Sequence, residues 1–267
     1  MKKFYILVLG EASASHLNGI FKIAQEHKGE FCGFEFLPFI NDESYIKTVS
    51  KRIDELYNNG IEPIIIKGFN IHTEDYIRPL IKYYKNKHPE EKFFLSHCAV
   101  FNNFILTDGA LLTKYTEENI RLVIMNAVEL RDKLWSDTDK SIAMLNAGGD
   151  TNPNTAPDYW MEIYNNLPKV TPNYKLEMSQ LDVAISRDIR IAKLGESSSL
   201  PSILIPSCIN EGNSIWKTLT VVAKQSLAGI VMGLPMYIGL TSRTDSEDSI
   251  YQTLNCLVKM MIVDNNL

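Results

Sequence analysis

Short apolar runs, too brief for helices, alternate in this chain with longer amphipathic segments, and no other feature restricts its fold as much. The runs lie near residues 4–9, 63–67, 93–100, 103–107, 141–145 and 202–205, with an apolar and aromatic extended stretch at 31–39. Two more lie close together near the C-terminus: Ala228-Gly-Ile-Val-Met-Gly and a run ending Ile238-Gly-Leu. Helical patterns fill the intervals at about 15–27, 44–58, 73–87, 116–135, 181–193 and 213–223, with another ending near 167 and a last one from Ser246. Short buried strands alternating with amphipathic helices predict an α/β fold.

The clearest helix is 116–135. Thr116 supplies an N-cap, Glu117 and Glu118 suit the positive end of the dipole, and Ile120, Val123, Ile124, Ala127, Leu130 and Leu134 form one stripe. Asp-Gly at 108–109 reads as a structural turn closing a strand. No repeat or Gly/Ser linker divides the 267 residues. A boundary must therefore be a chain crossing between packed lobes, expected at 136–140; this gives one lobe of 1–135 plus 246–267 and another of 136–245.

Apolar residues make up 45% of the chain, enough for a substantial core, and the formal net charge is −5 with Lys and Arg scattered. That balance argues against a nucleic-acid binder. No apolar run approaches the roughly 20 residues that span a bilayer, so no membrane partner is expected. The N-terminus imitates a signal peptide, but its apolar run is very short and Glu11 follows at once, so a first strand is expected. Cys32, Cys98, Cys208 and Cys256 are widely spaced and form no C-x-x-C pair, which reads as reduced thiols in a cytoplasmic protein.

Ser242-Arg243 follows the second C-terminal run and precedes the last helix. A hydroxyl and a planar guanidinium at a strand end beside a helix N-terminus suit an anionic oxygen ligand. Taken alone, the dipeptide is better described as a turn residue and a surface ion-pair partner. Asn210-Glu-Gly-Asn, containing Gly212 and Asn213, reads as a substrate-binding loop with Lys217 one helical turn on. Glycine there lets the backbone approach a ligand, and the following helix offers N–H groups to an anion. By itself the cluster better fits the commoner pattern, an ordinary loop with an Asn N-cap. Lys67-Gly68, with Thr73 and Arg78 downstream, makes a comparable strand–loop–helix arrangement. His16, His27, His72, His88 and His97 lack zinc-ligand spacing, no metal site is expected, and only His97 is placed near a site. Walker, dinucleotide-binding and nucleophile-elbow motifs are absent.

Taken in order, several segments resemble the phosphate acetyl/butyryltransferases, most closely the butyryl branch. They are Ile64-Ile-Ile-Lys-Gly-Phe-Asn-Ile-His-Thr with Arg78, Leu95-Ser-His, Leu106-Thr-Asp-Gly-Ala and Ile124-Met-Asn-Ala-Val. Next come Ala143-Met-Leu-Asn-Ala, Asn152-Pro-Asn-Thr, Leu181-Asp-Val-Ala-Ile-Ser and Leu204-Ile-Pro. The last are Glu211-Gly-Asn with Lys217, Ala228-Gly-Ile-Val-Met-Gly and Leu240-Thr-Ser-Arg-Thr-Asp-Ser.

The resemblance implies a two-lobed, three-layer α/β sandwich of the isocitrate/isopropylmalate dehydrogenase type with an inter-lobe cleft, and a homodimer. It implies exchange of a short acyl group, butyryl before acetyl or propionyl, between coenzyme A and inorganic phosphate, without metal or bound cofactor. By the same resemblance Ser242 and Arg243 bind phosphate or the reacting carbonyl, and Arg78 and Lys67 assist. An aspartate proposed as base in the acetyl branch aligns with Ser249, leaving Asp245 or Asp248 for that role. Thr244 replaces a usual glycine, and Pro206-Ser-Cys replaces a usual Pro-Asp. These departures motivate an alternative, a catalytically silent relative that binds acyl-CoA or acyl phosphate. A β-decarboxylating dehydrogenase on the same fold would need a carboxylate cluster for a divalent metal, and the sequence offers no suitable one.

Overall fold

A computed structural model describes residues 2–135, 140–149, 155–167 and 173–266. The elements begin with β1 (Lys3–Leu9), α1 (Ala14–Glu26), β2 (Phe31–Leu37), α2 (Glu43–Asn58), β3 (Ile61–Lys67) and α3 (Thr73–Lys87). They continue with β4 (Ser96–Val100), β5 (Ile105–Thr107), α4 (Glu117–Leu134), β6 (Ser141–Leu145), α5 (Asp158–Asn166), β7 (Lys175–Ser179), α6 (Leu181–Ile185) and α7 (Arg187–Leu194). β8 (Ile203–Ile205), α8 (Ile209–Lys217), a π-helical turn (Thr218–Val222), β9 (Ala228–Met232), β10 (Tyr237–Gly239) and α9 (Glu247–Asn266) complete the described chain.

Two compact units result: Met1–Phe93 with Ser226–Leu267, and Phe94–Gln225. The expected crossing at 136–140 lies outside the described residues except for Lys140. The units change instead at 93/94 and 225/226, so 94–135 and 226–245 each join the other partner from the one expected. The reason is packing. Helix α4 lies against β5 and β8, while β9 and β10 lie beneath α9.

In unit 1 the strand order is β2-β1-β3-β10-β9. β1, β2, β3 and β10 run parallel, with Leu9 opposite Lys67 and Ile238 opposite Ile65, and β9 is antiparallel to β10. The run Ile64–Ile66 and Ile6–Leu9 are wholly buried, as two-sided coverage requires. Helix α9 packs closely: a Cβ on Gly239 would lie 2.6 Å from the Thr253 methyl. In unit 2 the order is β4-β5-β8-β6-β7, with β4 and β5 an antiparallel pair and the others parallel.

Helix α4 matches its sequence pattern. The Thr116 side chain accepts from the Asn119 amide, and Ile120, Val123, Ile124, Ala127 and Leu130 are buried. Elsewhere the pattern misleads. Residues 93–95 do not join β4; the Phe93 ring instead meets Tyr84 edge-on at 5.5 Å. The single helix expected at 181–193 is two, because Ser186 turns extended and caps α7. Strand β7 carries no apolar run, since its buried Glu177 pairs with Arg190 at 2.8 Å. The fold class is α/β, and no described helix is long and apolar enough to cross a membrane.

Candidate active site

The order β2-β1-β3 sends the chain from β1 outward to β2 and then back past β1 to β3. The two crossovers run in opposite senses, and the switch point at the carboxyl ends of β1 and β3 is where open α/β sheets hold ligands. Gly10 follows β1 with φ +110°, open to glycine, and Gly68 follows β3. A Cβ on Gly68 would stand 2.6 Å from the Glu11 carbonyl oxygen, so only glycine lets the two loops meet.

Lys67 ends β3 and is 5% exposed, with Nζ donating to the Gly68 carbonyl at 3.3 Å. Its own carbonyl lies 3.0 Å from Nε2 of His16 and also accepts the Thr241 hydroxyl. Burial, the largest influence, lowers the His16 pKa; its bond to the Lys67 carbonyl raises it, and the Lys67 charge lowers it. Thr241 thereby ties the segment after β10 to the end of β3.

Ser242 comes next and is half-buried. Its amide donates to Oδ2 of Asp245 at 2.7 Å, its carbonyl accepts the Asp245 amide at 3.1 Å, and its hydroxyl is 3.2 Å from that of Thr244. Arg243 and Asp248 are exposed, and Asp248 sits in the first turn of α9. Ser249 is buried and its hydroxyl accepts the Leu227 amide. Thr73 opens α3 and is half-buried; Arg78 is exposed, 3.4 Å from Asp75.

The loop expected around Gly212 is a correction. Helix α8 begins at Ile209, so Gly212, Asn213 and Lys217 all lie within it, and the π-helical turn replaces the rest of the expected 213–223 helix. Gly212 is a packing glycine: a Cβ there would be 2.6 Å from the Asp108 carbonyl and 2.9 Å from Pro206. The Asn213 amide group donates to the Gly109 carbonyl at 3.0 Å, and the Lys217 ammonium lies 4.0 Å from the Trp216 ring centre. The Trp216 ring meets that of His97 at a tilt of 37°, with centroids 4.6 Å apart. Burial, ahead of the Lys217 charge, pushes the His97 pKa down to about 3.

Asp108 acts as a turn residue, as its Asp-Gly sequence suggests, and more. Its carboxylate accepts the amides of His97, Ala110 and Leu111 at 2.6–2.7 Å, although burial dominates and raises its pKa. His16 and Thr241 are the unexpected members of the unit 1 cluster. Their signals are present in the chain: Ser13 and His16 have the spacing of a capping box, and Thr241 directly precedes Ser-Arg.

No family model matches the chain. The phosphate acetyltransferase of Rickettsia felis is 27% identical over 276 residues, covering 97% of this chain and 78% of the relative. The phosphate butyryltransferase of Clostridium acetobutylicum is 25% identical over 236 residues, covering 79% and 72%. Among solved structures, a branched-chain phosphotransacylase from Enterococcus faecalis V583 matches with a TM-score of 0.74 at 19% identity, over 96% of this chain and 98% of that one. An isocitrate dehydrogenase from Methylococcus capsulatus matches with a TM-score of 0.51 at 8% identity, over 97% and 85%, which extends the shared fold to that type. Similarity along nearly the whole length, together with this fold, makes the chain a relative of the phosphate acetyl/butyryltransferases.

Proposed function

We propose that this protein exchanges a short acyl group, butyryl by preference, between coenzyme A and inorganic phosphate. The carrying observation is the match to a phosphate acetyltransferase over 97% of the chain and to a phosphate butyryltransferase over 79%. The placement of Ser242-Arg243 after β10, tied to β3 through Thr241, supports the reading locally.

In this reading a phosphate oxygen attacks the thioester carbonyl carbon, a C–O bond forms, and the C–S bond breaks as the thiolate leaves. Arg243, with Arg78, holds and orients the phosphate, since guanidinium offers paired donors and a fixed charge. The Ser242 amide donates to Asp245, and the Ser242 hydroxyl, beside that of Thr244, stabilises the oxyanion of the tetrahedral intermediate. The leaving thiolate takes a proton, and in reverse coenzyme A must lose one. Asp245, and failing it Asp248, serves as that acid and base.

The protein is also proposed to be a cytoplasmic homodimer. The cysteines, none in a disulfide, support a reducing compartment, and the family resemblance supports the dimer. A thiol-release assay with acetyl-, propionyl-, butyryl- and branched acyl-CoA, with and without phosphate, tests the activity. Thiol release that is absent, or independent of phosphate, for every acyl-CoA would overturn it. Coenzyme A binding without turnover would favour the silent relative, and light scattering tests the dimer.

A further inference from the structure

Three segments distant in sequence meet on one main-chain oxygen, the carbonyl of Lys67. His16 brings Nε2 to 3.0 Å of it from α1, and Thr241 donates its hydroxyl from beyond β10. The other imidazole nitrogen, Nδ1, lies 3.3 Å from the Ser13 amide nitrogen and 2.8 Å from the Ser13 hydroxyl. A backbone amide only donates, so Nδ1 accepts and the ring proton sits on Nε2, aimed at Lys67. His16 and Thr241 are each 2% exposed, so water cannot replace either donor.

His16 therefore does two jobs. One nitrogen caps α1, as Glu or Gln does in a capping box. The other holds the end of β3 in place. The same β3 carbonyl anchors Thr241, and the next two residues are Ser242 and Arg243. We propose that His16 is a positioning residue for phosphate: by fixing the Lys67 carbonyl against Thr241, it sets where Ser242 and Arg243 leave the sheet. The identity of the anion rests on the acyl-transfer reading above; the positioning itself rests on the hydrogen bonds.

Four variants separate the two jobs. S13A removes the helix-cap partner and leaves the Lys67 contact. H16L removes both. H16Q keeps an acceptor for the Ser13 amide and a donor toward Lys67. T241V removes the second donor on the same carbonyl without touching α1. For each, KM for phosphate and for butyryl-CoA, phosphate affinity by calorimetry and the melting temperature are measured.

Phosphate KM and Kd should rise about tenfold in H16L and T241V, with KM for butyryl-CoA unchanged, and H16Q should return within about threefold of wild type. S13A should lower the melting temperature and leave phosphate affinity alone. Phosphate affinity that tracks melting temperature across all four variants, or H16Q no better than H16L, overturns the proposal. A wild type that binds phosphate yet turns over no acyl-CoA removes the acyl-transfer reading, while the affinity series still decides the role of His16. A wild type that binds no phosphate removes both.

Discussion

Ser242 and Asp245 hold each other: the Ser242 amide donates to the Asp245 carboxylate at 2.7 Å, and the Asp245 amide donates back to the Ser242 carbonyl at 3.1 Å. The pair closes the turn between β10 and α9, so Asp245 has a structural duty beside any proton transfer. An amide keeps the acceptor oxygen but cannot take a proton. D245N should lose about 10²-fold in kcat/KM at an unchanged melting temperature, and D245A should lose more and melt earlier. Near-normal turnover in D245N would move the base to Asp248, where D248N repeats the test.

Arg243 is exposed, which leaves its fork open to a ligand. Removing two charge-assisted hydrogen bonds from the phosphate should cost about 10²- to 10⁴-fold in R243A. R243K should recover only part, because an ammonium is a point charge without the planar pair of donors. The measurement is phosphate-dependent thiol release, and R243A within a few-fold of wild type, about threefold, would remove Arg243 from the chemistry.

Gly212 packs where a side chain would strike main chain. In G212A the new methyl would lie 2.6 Å from the Asp108 carbonyl, and that segment is pinned by the amides on the Asp108 carboxylate. The expected cost is about 1–3 kcal/mol, a fall of several degrees in thermal unfolding. An unchanged melting temperature would refute the packing account of α8.

His97 is fully buried with a pKa pushed down to about 3, whereas the unfolded chain protonates it near 6.5. Between those values the unfolded state binds the extra proton. Stability supplied by the neutral ring is thus complete above 6.5 and drains away as pH falls toward 3. Among the described residues neither ring nitrogen has a hydrogen-bond partner, so phenylalanine is a fair replacement. H97F should flatten the fall in melting temperature between pH 7 and 5.5, where ordinary carboxylates contribute little. His16 is lowered too and keeps part of the slope. Parallel curves for H97F and wild type would sink the assignment.

What the sequence makes legible is what local physics decides. Continuous apolar runs announce β1, β3, β6 and β9, and Thr116 with its stripe announces α4. What stays hidden depends on partners distant in the chain. The early start of α8 at Ile209 sets Gly212 against the distant Asp108 carbonyl, whereas the break at Ser186 is local, its side chain capping α7 through the Ile189 amide. β7 is obscured because Glu177 is buried only by virtue of Arg190. Ser242, Arg243 and Lys67 stand out by type and position, whereas His16 joins them through a contact spanning 51 residues.

The core of unit 1 is assembled from both ends of the described sequence, since β10 and α9 come from 226–267 and β10 lies between β3 and β9. During synthesis, residues 94–225 can collapse into their own unit while β3 still presents an open edge. Only once residues 226–266 have emerged does β10 close that edge, and the same stretch carries Ser242 and Arg243. Chains stalled before residue 226 should therefore keep an unpaired edge on β3 and be prone to stick to one another through it.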